Sequence, residues 1–456
     1  MGSKDINMLS GSITKGLLAI GIPVMIMNVL QSMFNFVDMT VLKAFDTNGM
    51  AVGAVGVCGT IIALITNLVI GIATGTNVVV AKFIGQKDRA GSDRVVGTSV
   101  VFAAAAGVAL AAVGIVCAEL FLRWVNCPEE LLAQAVLYFR MYFAGVPILM
   151  VYNFSSSILR SSGNSQRIMA ISIIGAVVKV LSTCLLVAMF QMGVMGVALA
   201  TIFSWFTCAM LALLSLLRSK GVVKLHRHYL RFYSRELSQV LRIGVPTGLQ
   251  MGLFSIANVL ISAAVNGFGH QATTGVSIAN TFDGILYNIC NATSLAVMSY
   301  MSQNVGAGNI KRAARSMWNG ILITISIGAF FGALSALFSG QLSALMTDDP
   351  QVIAYSQQKM IIISSTYFIC GISDIFNAAL RAMEKPTFPT VTTLVFMCGL
   401  RFVWVYFVFP LVPNLTFLYL VWPLGWVASI LCSLPVFFDT KNRLEIKYGR
   451  QFDIMA

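Results

Sequence analysis

The two halves of this 456-residue chain carry the same landmarks in the same order. An Ile-Gly-Ile-Pro motif ends at Pro23 and is followed by Asn35, and an Ile-Gly-Val-Pro motif ends at Pro246 and is followed by Asn258. Both landmarks recur at an offset of 223 positions. A period of half the chain length predicts two homologous halves, a plan typical of membrane transporters that rearrange around a site between repeats.

Composition supports a membrane protein. Hydrophobic residues make up 57% of the chain and charged residues 10%, whereas a soluble domain carries about 25% charged residues. Lipid offers no water to unpaired backbone groups, so the apolar runs are expected to be helices. We predict an all-α integral membrane protein with twelve transmembrane helices in two pseudo-symmetric six-helix bundles. The predicted spans lie near residues 17–41, 51–81, 95–122, 131–158, 168–191, 193–217, 243–268, 273–303, 316–340, 351–380, 388–411 and 415–438.

The net charge of +13 is concentrated in alternate loops, which is the positive-inside pattern and not the footprint of a nucleic-acid-binding protein. It predicts a multi-pass protein of a bacterial-type cytoplasmic (inner) membrane, surrounded by lipid, with both termini cytoplasmic. We expect an N-terminal bundle over 1–218, a cytoplasmic basic linker over 219–242, a C-terminal bundle over 243–438 and a cytoplasmic tail over 439–456.

The residues that usually hold metals do not form a pattern. The nine cysteines include no C-x-x-C pair, and the three histidines lie in predicted loops without zinc spacing. The acidic pair Asp348 and Asp349 is too short for a membrane-enzyme motif. We therefore expect no metal site, no cofactor and no enzymatic activity.

Polar residues follow one face of several apolar spans. In the first span, Asn28, Gln31, Asn35 and Asp38 are three or four positions apart, which places them on one side of a helix. Such faces either bond to neighbouring helices or line a wet cavity, and their occurrence in both halves favours a cavity. The candidate substrate-cavity residues are Asn28, Gln31, Asn258, Asp283, Tyr287, Asn291, Asp374 and Asn377.

These residues resemble the multidrug and toxin extrusion (MATE) family, in its prokaryotic DinF-like branch, over nearly the whole chain. The motifs that carry the resemblance are Ile20-Gly21-Ile22-Pro23, Asn35-Phe36-Val37-Asp38, the turn over 192–201, the run over 302–308 and the Leu-Arg pairs at 159–160 and 380–381. The resemblance implies twelve helices in two bundles, alternating access and a monomer. It also implies export of organic compounds driven by inward Na⁺ or H⁺.

The resemblance further implies an ion-coupling site between the first, fifth and sixth spans. Asp38 and Thr201 match the family's polar set, and Asn35 on the first span is a further candidate, whereas Lys179 and Thr183 stand where members carry Asn and Asp. A fixed cation about 4 Å from a sodium ion costs roughly 4 kcal/mol at an effective dielectric constant near 20. We therefore predict that Lys179 pairs with Asp38, and we leave open whether H⁺ or Na⁺ is the coupling ion.

Together these features predict a secondary-active antiporter that exports small amphipathic or cationic organic compounds across the cytoplasmic membrane. Its partners would be small-molecule substrates and membrane lipids. The alternative is a lipid-linked oligosaccharide flippase of the same broad superfamily, for which more arginines in the cavity or extra helices would be expected.

Overall fold

The computed structural model describes the backbone of residues 6–45, 50–125, 127–219 and 221–455. It describes the side chains over the same ranges, except at 32–45, 50–53, 60, 256 and 449–455. Every regular element in this part of the chain is a helix.

Seven α-helices precede the middle of the chain. The third has a side-chain cap: the Asp88 side chain accepts a hydrogen bond from the Gly91 N–H at its start. In chain order they are α1 (Ile13–Phe45), α2 (Met50–Gly85), α3 (Arg89–Val116), the short α4 (Ala118–Trp124), α5 (Glu129–Ser161), α6 (Ser165–Thr183) and α7 (Gly193–Leu217). A π-helical segment, Cys184–Met189, continues α6.

Nine further α-helices follow a 3₁₀ turn at Arg227–Tyr229. They are α8 (Ser234–Asn266), α9 (His270–Gly306), α10 (Ile310–Leu337), α11 (Ser339–Ala344), α12 (Pro350–Ala382), α13 (Thr387–Thr392), α14 (Leu400–Val403), α15 (Leu415–Tyr419) and α16 (Val421–Met455). Two π-helical segments, Thr393–Gly399 and Trp404–Val408, flank the single turn of α14 and make 387–411 one continuous span.

The predicted fold class is confirmed: the chain is an all-α integral membrane protein with two six-helix bundles. Within the described ranges, eleven helices are long and apolar enough to cross a membrane. The remaining predicted span, near 273–303, corresponds to α9. Its 37 residues give a length of roughly 55 Å, but polar residues such as Asn280, Asp283 and Asn291 make it less apolar than the others.

The chain divides into two compact units. The first contains residues 26–245, and the second contains residues 7–25 and Pro246 onward. Both divisions fall inside helices, close to Pro23 in α1 and at Pro246 in α8. The first turns of α1 therefore pack with the second unit, and those of α8 pack with the first. The predicted bundle limits, which follow the sequence repeat, stay a prediction.

Each unit has its own apolar core. In the first unit, α5 supplies stacked Phe139 and Phe143, whose ring centroids are 4.5 Å apart, and they pack against residues of α2, α3 and α7. In the second unit, Tyr367 of α12 and Trp426 of α16 lie 5.5 Å apart, centroid to centroid, among residues of α8, α9 and α15. These cores hold the helices that carry the polar residues described below.

The segment after α7 is fixed to the first unit. The Thr98 hydroxyl of α3 donates to the Arg231 carbonyl at 3.1 Å and accepts from the Tyr233 N–H at 3.2 Å. One turn away, Arg94 forms a 2.8 Å ion pair with Glu236. Residues 234–242, which the sequence placed in the linker, are thus the first turns of α8.

Candidate functional site

A buried ion pair lies inside the second unit. Lys359 of α12 places its ammonium nitrogen 2.9 Å from Asp283 Oδ2 of α9, and both side chains are almost fully buried. The same ammonium group bonds to the Asn280 side-chain oxygen one turn earlier on α9. A lone charge at this depth would be costly, whereas a paired and hydrogen-bonded one is tolerated. The predicted cavity residue Asp283 is therefore held by Lys359.

Arg401 lies in the same part of the second unit. Its Nη1 donates to Asn258 Oδ1 of α8 at 2.7 Å. Its guanidinium carbon is 5.0 Å from the Phe254 ring centroid and 5.2 Å from that of Trp422. Lys359 Nζ is 5.7 Å from the same Trp422 ring. We call Asn258, Asp283, Lys359, Arg401 and Trp422 the Arg401 cluster.

A second polar group in this unit forms around Arg381 near the end of α12. Arg381 Nη2 donates to Gln250 Oε1 at 2.6 Å, and Gln250 Nε2 donates to Thr393 Oγ1 at 2.7 Å. These bonds join α12, α8 and the π-helical segment that follows α13. We call Gln250, Arg381 and Thr393, together with Tyr287, Asn291, Asp374 and Asn377, the Arg381 cluster.

Four predicted cavity residues belong to the Arg381 cluster. Asp374 lies within electrostatic range of Arg381 and Tyr287, and Asn291 hydrogen-bonds to it. Asn291 also reaches the Tyr287 hydroxyl at 3.4 Å. Asn377 lies on α12 between Asp374 and Arg381 and is 3% exposed. The structure thus brings Tyr287, Asn291, Asp374 and Asn377 into one region of the second unit.

In the first unit, the described part of the predicted ion-coupling set lies on α6 and α7. Thr183 is fully buried, and Thr201 donates its hydroxyl to its own helix at Val197 O, 3.0 Å away. Ser204 bonds to Gly175 O at 2.7 Å and so joins the two helices. Lys179 lies four residues after Gly175 on α6, and Thr201 lies three residues before Ser204 on α7. Because the two helices run antiparallel, Lys179 and Thr201 lie at a similar height, one helical turn from the Ser204–Gly175 contact.

The rest of that set lies on α1. The same helix carries two predicted substrate-cavity residues: Asn28 is half-buried and Gln31 is exposed, both in the first unit. The Asn35 and Asp38 side chains lie outside the described residues. Where side chains are described, no group of three or more His, Cys, Asp or Glu residues could hold a metal ion. The ion-coupling set therefore stays a prediction.

The sequence repeat makes Arg401 the counterpart of a predicted ion-coupling residue, a relation that the sequence analysis did not use. Arg401 follows Lys179 at an offset of 222 positions, and Asn258 follows Asn35 at an offset of 223. The Arg401–Asn258 hydrogen bond thus joins the repeat counterparts of two predicted ion-coupling residues. The partners of Lys359 and Arg381 had no such signal, because they depend on how distant helices pack.

Comparison with known proteins identifies the family. The MatE family model matches residues 23–186 and 246–407, one segment in each half of the repeat, and the chain belongs to the MatE family.

Individual relatives are distant but match along most of their length. The chain is 26% identical over 399 residues to the probable multidrug resistance protein YpnP of Bacillus subtilis (strain 168), covering 88% of this chain and 89% of that protein. It is 22% identical over 395 residues to an FAD transporter of Shewanella oneidensis, covering 85% and 86%.

A solved structure shows the same fold. It is described as the outward-facing conformation of a multidrug resistance MATE family transporter of the MOP superfamily, and it superposes with a TM-score of 0.90 at 19% identity. The superposition covers 98% of this chain and 99% of that one.

Proposed function

We propose that this protein is a secondary-active exporter of small amphipathic or cationic organic compounds. It would work by alternating access across the cytoplasmic (inner) membrane, driven by an H⁺ or Na⁺ gradient. The observation that carries the proposal is the match of the MatE model to both halves of the chain. The name of the relative YpnP supports drug-like cargo, and the names of the relatives reported above favour neither the flippase nor an enzyme.

The Arg381 cluster supports binding of the cationic part of a substrate. Asp374 Oδ2 and Asn377 Oδ1 are buried and have no hydrogen-bond partner among the residues whose side chains are described. Both are oxygen acceptors on the same face of α12. A substrate ammonium or amidinium group would satisfy both atoms and offset the cost of leaving them unpaired.

The name of a second relative widens the range of cargo. An FAD transporter moves a dinucleotide that joins aromatic rings to charged phosphates. We propose that this chain likewise takes compounds that combine an apolar ring system with a charged group. The apolar rings and buried charges of the second unit support this amphipathic cargo.

We also propose how the chain is oriented in the membrane and that it acts as a single copy. The basic loops support cytoplasmic termini under the positive-inside rule. We propose a monomer in contact with membrane lipid, because each unit closes its own apolar core.

For the coupling step we propose that Lys179 pairs with Asp38 and occupies the place of a bound cation. A proton that reached Asp38 would release Lys179 and change the contacts of α1 with α6. The Lys179→Asn, Thr183→Asp double variant restores the residues that the family resemblance implies. Its transport should respond to sodium where the wild type does not; wild-type transport that a sodium gradient alone can drive would reject the pair.

Export itself is tested with everted membrane vesicles from cells that express the chain, using ethidium as the probe. Energised wild-type vesicles should accumulate ethidium, and Asp38→Asn should reduce accumulation to that of vesicles without the protein. The reason is that a neutral amide cannot exchange a proton or hold a cation. Asp439→Asn is the matched control, because Asp439 is exposed and pairs with Arg443 on the same helix. If vesicles with Asp38→Asn accumulate as much ethidium as the wild type, Asp38 is not needed for driven export and has only a structural role.

A further inference from the structure

We propose that the Arg401 cluster binds the anionic group, a carboxylate or a phosphate, of an aromatic substrate. This inference rests on the proposed export function and adds a substrate class to it. The binding group would be the Arg401 guanidinium, with the rings of Phe254 and Trp422 beside it.

The Arg401 cluster contains two cations, Lys359 and Arg401, but only one carboxylate, Asp283. Asp283 neutralises Lys359 through their 2.9 Å ion pair. Arg401 is 1% exposed, yet it forms no ion pair with any carboxylate whose side chain is described. A buried guanidinium without a counter-charge is costly to the folded protein. An anion at Arg401 would remove that cost.

The guanidinium group is held in place with one nitrogen available. Nη1 is fixed by Asn258 Oδ1 at 2.7 Å. Nη2 is buried and has no hydrogen-bond partner among the described side chains and backbone. The unpaired Nη2 can donate a charge-assisted hydrogen bond to an oxygen of a carboxylate or phosphate. The restrained orientation lowers the entropy that binding would lose.

The surroundings suit an aromatic ligand with further polar atoms. The Arg401 guanidinium carbon lies over the Phe254 and Trp422 rings, 5.0 and 5.2 Å from their centroids, so two aromatic side chains border the group that would bind the anion. Asp283 Oδ1 and the Tyr419 hydroxyl are also buried without a hydrogen-bond partner in the described part of the second unit. They supply an acceptor and a donor for the rest of the ligand.

The backbone at Arg401 is also unusual. The residue lies on the single α-helical turn Leu400–Val403, between π-helical segments at Thr393–Gly399 and Trp404–Val408. Short π-helical segments inside α-helices occur frequently at functional sites. From this turn Arg401 contacts Asn258 and Phe254 of α8 and Trp422 of α16.

The test compares riboflavin with flavin mononucleotide, which share a ring system and differ by one phosphate. Binding to the full-length protein in lipid nanodiscs is followed by flavin fluorescence. A charge-assisted hydrogen bond corresponds to about a ten- to hundredfold difference in affinity. The wild type should prefer flavin mononucleotide by that factor. Arg401→Gln should abolish the preference and leave riboflavin affinity unchanged, whereas Arg401→Lys should retain part of it.

The control is Arg140→Gln in the first unit, where Arg140 is exposed and bonds to the Ile115 carbonyl; this variant should keep the wild-type preference. Equal wild-type affinities, no flavin binding, or a preference that survives in Arg401→Gln would overturn the anion site. If Arg401→Gln does not fold, a reduced preference in Arg401→Lys decides for the site, and full retention of the preference decides against it.

The outcomes also separate this inference from the proposed function. Ethidium export by a wild type that shows no phosphate preference would leave export standing and reject the anion site. A phosphate preference in a protein that exports neither ethidium nor flavin would keep the site and reject export.

Discussion

Lys359 and Asp283 illustrate how a bundle of apolar helices accommodates charge. A charged side chain at the centre of a bilayer costs roughly 2.5–3.5 kcal/mol on insertion scales. Here the two charges neutralise each other, and Asn280 and the Trp422 ring contact the Lys359 ammonium group. The pair ties α9 to α12, so its loss should weaken the second unit.

Lys359→Met should destabilise the protein by about 3–5 kcal/mol, because it leaves the Asp283 carboxylate buried and unpaired. The Asp283→Asn, Lys359→Met double variant removes both charges and should recover most of the loss. The measurement is the thermal unfolding midpoint of purified protein in detergent. Arg443→Met, which breaks an exposed pair with Asp439, serves as the control and should have little effect. A double variant no more stable than the single one would contradict this account of the pair.

Sequence spacing predicted part of this arrangement. The intervals between Asp283, Tyr287 and Asn291 predicted a shared face of α9, and the structure places all three in the polar clusters of the second unit. The partner of Asp283 could not be predicted. Lys359 lies on α12, and its depth and direction relative to α9 depend on the packing of the whole bundle. From sequence alone, Lys359 was equally compatible with a position near a membrane surface.

At the scale of elements, the first turns of α8 approach α2 unusually closely. A Cβ atom at Gly244 would lie 2.5 Å from the Ile72 carbonyl oxygen, and one at Gly75 would overlap the Val240 carbonyl. Backbone atoms cannot move aside as a flexible side chain can. The repeat counterpart of Gly244 is Gly21 in α1, where an added Cβ would meet only the Ala296 Cβ at 3.8 Å.

Gly244→Ala should therefore lower the unfolding midpoint and the yield of folded protein, because overpacking costs typically about 1–3 kcal/mol. Gly21→Ala provides a matched control at the same place in the repeat. It should be neutral or slightly stabilising, since alanine favours a helix over glycine by roughly 0.5–1 kcal/mol. Equal effects of the two substitutions would show that the close contact of α8 with α2 does not limit stability.

The sequence predicted where the helices lie better than their internal form. The apolar runs near 168–191 and 388–411 marked two spans at equivalent places in the repeat. The structure adds π-helical segments to both, at Cys184–Met189, Thr393–Gly399 and Trp404–Val408. A π-helical segment changes the hydrogen-bond pattern without changing the apolar composition. Hydropathy therefore could not reveal it.

At the scale of the whole molecule, the repeat and the apolar runs were enough to predict the fold class, and the motifs that carry the resemblance indicated the family. They could not show that residues 7–25 pack with the second unit, because a helix that continues through Pro23 gives no local sign of a boundary. Proline removes one backbone hydrogen bond from a helix interior. Pro23 and Pro246 thus weaken α1 and α8 close to where each helix passes from one unit to the other.

The central claim is that this chain couples export to an ion gradient, and reconstituted protein tests it most directly. Proteoliposomes with equal ethidium concentrations inside and outside receive an inward proton gradient, an inward sodium gradient, both or neither. We predict ethidium efflux against its own gradient when a pH gradient is present, none without an ion gradient, and none by Asp38→Asn under any condition. An internal ethidium concentration that stays equal to the external one under both ion gradients would contradict the claim.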